Sequence, residues 1–183
     1  FVNHLLARIL KDLTKEAENL GGTERYASFK WAVTPYSGGS DHYILSDPTV
    51  GVPAPMIIHW PDLYYHTSQD TVDKVSSEEL KRVIMMTSTY TYFLANAGYE
   101  ESLWLANLVA SEAKKRILET VQEGLSKVMA EPDEKERKKP ERFERRIARN
   151  LMDLEEKFCY VLDREIKALR SVGRIVPGKE KDS

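Results

Sequence analysis

The stretch DLYYHTSQDTVDKV, residues 62–75, sets a histidine after two tyrosines and before a run of small hydroxyl and carboxyl side chains. The imidazole of His66 could bind a metal. Only four histidines occur in the chain, at positions 4, 42, 59 and 66. None belongs to an H-x-D or H-E-x-x-H motif, and the single cysteine, Cys159, allows no cysteine pair. No short metal signature is therefore present. On local chemistry alone, a lone histidine beside tyrosine is more often a hydrogen-bonded loop residue than a ligand. Ser37, Ser40, Asp41 and His42 cluster in YSGGSDH. That segment is not a G-x-S-x-G elbow between a strand and a helix, which argues against a serine hydrolase. His4 falls in a helical segment and reads as a surface residue.

These residues need elements to hold them. Leu5, Leu6, Ile9, Leu10, Leu13, Ala17 and Leu20 recur at helical spacing. They predict a helix over 3–20, stopped by Gly21-Gly22. ASFKWAV (27–33) has the composition of a short strand. TPYSGGSDH (34–42) reads as a turn into a short helix with Ser40 or Asp41 at its N-cap. GVPAPMIIHW (51–60) is apolar and bounded by prolines, so Met56–Trp60 is expected as a buried strand. After the histidine loop, Ser76 and Glu79 make a capping box for a long helix that Gly98 stops. This alternation predicts an α/β domain over 1–99. Two strands do not complete a parallel sheet, so the domain is expected to be the end of a larger one or to be completed by another chain.

The composition changes after residue 100. Leu103, Trp104, Leu108, Ile117, Val121 and Leu125 mark one long amphipathic helix, and Phe143, Ile147, Leu151, Leu154, Phe158 and Leu162 mark a second. The charged run EPDEKERKKPERFERR (131–146) lies between them. The pattern predicts an antiparallel helical hairpin over 100–175, followed by a disordered tail over 176–183. The 183 residues are 42% hydrophobic and 31% charged, with a net charge of −2. This balance offers no attraction to nucleic acid or an anionic membrane. No apolar run approaches the roughly 20 residues of a membrane helix, and no signal peptide is evident. The first residue is Phe1, which suggests a processed or truncated piece. Composition leaves the compartment undetermined.

The ordered run YSGGSDHYIL…GVPAPMIIHWPDLYYHTSQDTVDKVSSEELKRV resembles the C-terminal part of the zinc aminopeptidases. That family includes bacterial leucyl aminopeptidases and, more distantly, glutaminyl cyclases and glutamate carboxypeptidases. Its members carry an S-D-H segment, a G-[IV]-P strand, a [YW]-H-T-x-x-D-T loop and a final long helix. The resemblance covers about residues 27–97. It implies the end of a three-layer α/β exopeptidase domain, with the helical hairpin as an extension. It implies that His66 is a zinc ligand and that Tyr65 donates to the oxyanion. Asp41 and Tyr64 would then lie near the bound substrate, with Trp60 and Leu63 as further pocket candidates.

In such an enzyme two zinc ions activate water, an upstream glutamate takes its proton, and hydroxide attacks the peptide carbonyl. The family's H-x-D, bridging Asp and Glu-Glu ligands all precede the final histidine. Here Glu78-Glu79, Glu100-Glu101 and Glu155-Glu156 all follow it. One ligand cannot hold a catalytic zinc. The expectation is therefore an aminopeptidase segment, inactive alone, whose partners are a peptide substrate and the missing N-terminal part of the same protein. Two alternatives remain. One is a glutaminyl-cyclase-like relative, although that subfamily carries D-D-H and a Trp before the ligand, where this chain has Ser40 and Tyr65. The other is a non-catalytic peptidase-fold module that binds a partner, with the apolar stripes of the hairpin as a possible homo-oligomer contact.

Overall fold

The computed structural model describes residues 1–14, 17–18, 25–26, 29–34 and 36–175. The chain divides into two compact units, Val2–Asn96 and Ala97 onward, Phe1 being grouped with the second. In the first unit, helix α1 (Val2–Leu13) packs on helix α3 (Ser77–Asn96). Leu5, Leu6 and Ile9 of α1 are buried, as are Met86 and Tyr90 of α3. Their three- and four-residue spacing puts each set on one side of its helix. Ser76 Oγ accepts a hydrogen bond from the Glu79 amide at 3.3 Å, satisfying one of the orphan donors at the start of α3. His4 is also buried, contrary to the surface position expected for it.

The expected α/β sheet domain does not form. Regular structure is almost entirely helical. Among the described residues, β pairing is confined to a two-residue antiparallel ladder between β1 (Ala17–Glu18) and β2 (Arg25–Tyr26). Residues 29–34 and 51–60 are neither helical nor paired. Met56–Trp60, expected as a buried strand, leaves Ile57, Ile58 and Trp60 exposed. The physical reason is that a strand is stabilised by its neighbours. Prolines at 53, 55 and 61 remove donors in and just after this run, and among the described residues no second strand pairs with it. The first helix also ends earlier than its apolar spacing predicts. It stops at Leu13, and the Thr14 hydroxyl bonds back to the Leu10 carbonyl at 2.6 Å. Ala17 then belongs to β1. The Gly21-Gly22 stop, residues 27–28 of the first expected strand and the 176–183 tail lie outside the described residues.

Two long helices build the second unit, α4 (Tyr99–Val128) and α6 (Pro140–Val172). They pack antiparallel. Near one end Arg116 reaches Glu165 at 2.8 Å, and further along Gly124 meets Leu154. Helix α4 starts with a Glu101 carboxylate that accepts from the Gly98 amide at 2.8 Å. Its own backbone amide, and then that of Gly98, hold the Glu101 carboxyl below its ordinary value. The charged connector is more ordered than its composition suggests. It holds the single-turn helix α5 (Glu134–Arg137), where Asp133 and Glu136 cap each other reciprocally. Pro140 then occupies the first turn of α6, a position that needs no amide donor.

Candidate functional site

The 62–75 loop is built from local hydrogen bonds. Asp62 Oδ1 accepts from the Tyr64 amide at 2.8 Å. The Tyr64 carbonyl accepts from the Thr67 amide at 3.0 Å and from its hydroxyl at 2.7 Å. Thr67 in turn accepts from Gln69 through its hydroxyl and from Asp70 through its carbonyl. The chain thus makes a tight turn over Tyr64–Thr67 with His66 at its third position. A positive φ at that position is usually supplied by Gly or Asn. Here His66 itself has φ of 59°, the only non-glycine residue with positive φ among the described residues.

This turn sets the side chains. The Tyr65 and His66 rings stack at 3.8 Å with an interplanar angle of 19°. Trp60, preceding the cis peptide to Pro61, meets Tyr65 edge-on at 6.1 Å. The three rings form a small exposed aromatic cluster. Tyr64 points elsewhere, with the Lys74 ammonium 5.2 Å from its ring centre. A Thr71–Asp73–Lys74 network closes the loop just before α3, and these two partners hold the Asp73 carboxyl low.

The other candidates lie apart from this cluster. Asp41 is exposed at the start of α2 (His42–Leu45), and its side chain makes no capping bond there. Next to it, His42 is buried and its Nε2 sits 2.7 Å from the Ser37 carbonyl, so Nε2 carries the proton. Its Nδ1 is buried without a hydrogen-bond partner among the described residues. This makes His42 the clamp that folds YSGGSDH back on itself, a role its motif did not announce. His59 is exposed. No hydrogen bond joins Asp70 to the His66 ring among the described residues.

A zinc site needs three or four protein ligands converging on one point. Among the described residues no group of three or more His, Cys, Asp or Glu side chains does so. Within the loop, the exposed imidazole of His66 is the group that could take a metal. Among the described residues no helix is long and apolar enough to cross a membrane. Sequence reasoning singled out His66 and Tyr65 but missed the left-handed backbone that aims them, because nothing in YYHT marks a residue other than Gly or Asn for that conformation. No family model, no curated protein and no solved structure matches this chain.

Proposed function

We propose that residues 1–99 supply one wall of a metal-dependent aminopeptidase site, which ligands outside these 183 residues complete. His66 offers the metal-binding imidazole and Tyr65 a phenol proton for an oxyanion. The observation that carries this reading is the backbone of His66. An L-residue in the left-handed region costs roughly 1–2 kcal/mol. Strain of this kind is commonly held where side-chain direction matters to function. Here it falls on the residue that the S-D-H, G-V-P and H-T-x-x-D-T order singles out. The stacked Tyr65 ring and the Thr67 bonds hold the imidazole in a fixed direction toward solvent.

The test uses the full polypeptide encoded with these residues. Zinc content and hydrolysis of an aminoacyl-p-nitroanilide are measured for the wild type, His66→Asn and Tyr65→Phe. Asparagine tolerates the turn, so the loop survives its substitution. His66→Asn should lose metal and rate together, and Tyr65→Phe should lose rate while keeping metal. Unchanged zinc content in His66→Asn would remove His66 from the ligand set and the proposal with it.

A further inference from the structure

We infer that the helical hairpin docks face to face on the hairpin of a second copy of this chain, forming a four-helix bundle. The hairpin has one apolar flank. Leu125 follows Gly124 and so lies about 100° round α4 from the point that meets α6. Leu151 precedes Leu154 by three residues and lies about 60° round α6 in the same rotational sense. Because the helices are antiparallel, both displacements lead to the same side. Leu118 joins Leu125 on α4, and Ile166 and Leu169 join Leu151 on α6. These five side chains are between 41% and 57% exposed. The opposite flank is polar, a shallow groove lined by Thr120, Glu123, Lys127, Asn150, Asp153 and Lys157.

Three features point to a second copy as the occupant. The first is size. Helices of 30 and 33 residues are about 45–50 Å long, and two side by side are about 20 Å wide. A cover over that face buries on the order of 900 Å² per partner, close to the standard size of a stable interface. The second is charge. Helix α4 carries five acidic and four basic side chains and α6 seven and eight, so two copies meet without net repulsion. The third is the placement of two charges within the apolar flank, Lys114 on α4 and Glu155 on α6. Glu155 is level with about residue 123 of α4, roughly 15 Å along the axis from Lys114, so they do not pair within one chain. A two-fold axis crossing the flank midway between them, perpendicular to the helices, brings each Lys114 level with Glu155 of the second copy. Such pairing is self-complementary and closes at two chains.

Sedimentation of the 183-residue chain tests this, with Cys159 as a built-in probe. This single cysteine is exposed on α6, three residues before Leu162 and seven before Ile166. The wild type should sediment at twice the 21.0 kDa chain mass, and a spin label on Cys159 should report one inter-copy distance. Leu118→Glu with Ile166→Glu should weaken the dimer at least tenfold and abolish that distance while helical circular dichroism is kept. Lys114→Glu should weaken it several-fold, and Lys114→Glu with Glu155→Lys should restore it. The restoration does not depend on how well the leucine variants fold. A monomeric wild type would overturn the inference and leave the flank to a different partner. So would a dimer indifferent to both substitution sets, which would place association elsewhere on the chain.

Discussion

His66 combines a backbone cost with a side chain that makes no hydrogen bond among the described residues, so the two can be separated by substitution. Replacing it with glycine removes the Cβ that disfavours the left-handed region. The loop bonds around Thr67 involve main chain and the threonine hydroxyl, and they survive the change. His66→Gly should therefore leave the fold intact and stabilise it by up to about 1 kcal/mol, read as a raised unfolding midpoint in urea. Destabilisation would show that the Tyr65–His66 stack contributes more than the strain costs. Tyr90 gives a contrasting case. Its hydroxyl donates to the Pro53 carbonyl at 2.7 Å, and burial raises its pKa. Tyr90→Phe should cost about 1 kcal/mol, because the part-buried carbonyl loses its donor. The sequence made His66 visible through its motif. It hid the partners of Tyr90 and of the His42 imidazole, which bond to carbonyls that any residue could provide.

The two long helices of the hairpin were legible as amphipathic stretches, because their apolar spacing persists over many turns. Their connection was not, since a run of charges reads as solvated chain. In the structure one of those charges closes the hairpin. The Arg146 guanidinium bonds Glu136 at 2.9 Å, the Lys127 carbonyl at 3.2 Å and the Ala130 carbonyl at 2.8 Å. Asn150 adds a second donor to the Lys127 carbonyl at 3.0 Å. Together they satisfy carbonyls that the end of α4 would otherwise leave open. Arg146→Ala should lower stability by about 2 kcal/mol, checked by chemical denaturation, whereas Arg145→Ala on the exposed side should change it little. Gly124 is the other hidden element. A glycine inside a helix costs roughly 1 kcal/mol, which argues against it from sequence alone. A Cβ at this position would fall inside the Leu154 side chain. Gly124→Ala should therefore destabilise by about 1–2 kcal/mol in spite of its better helix propensity. A stabilised variant would mean that Leu154 moves aside. At the N-terminus of α4 the Glu101 carboxylate is held low by its own amide and by that of Gly98. Its contribution is present above the ordinary glutamate pKa and is lost as pH falls through the lowered one. Glu101→Gln should remove that part of the acid dependence from the circular dichroism of α4.

Across the whole molecule, helices could be read from the sequence and strands could not, for one reason. A helix closes its hydrogen bonds within its own segment, whereas a strand needs a neighbour that may lie far along the chain or outside it. The alternation of 27–33 and 51–60 was therefore real as composition and uninformative about pairing. Its consequence at 51–60 is a run outside any helix or strand pairing that leaves Ile57 and Ile58 exposed. Two apolar surfaces then compete for partners. The hairpin flank is self-complementary and closes at two copies, whereas an unpaired strand edge can add copies without limit. The two modes separate by concentration dependence. Ile58→Lys places a charge on the 51–60 run and leaves the hairpin residues unchanged. It should reduce light scattering at high concentration and leave the sedimenting dimer unchanged. Leu118→Glu with Ile166→Glu should do the reverse, dissolving the dimer while the scattering persists. If Ile58→Lys dissolved the dimer as well, the 51–60 run and the hairpin would belong to a single interface, and the closed two-copy arrangement would have to be abandoned.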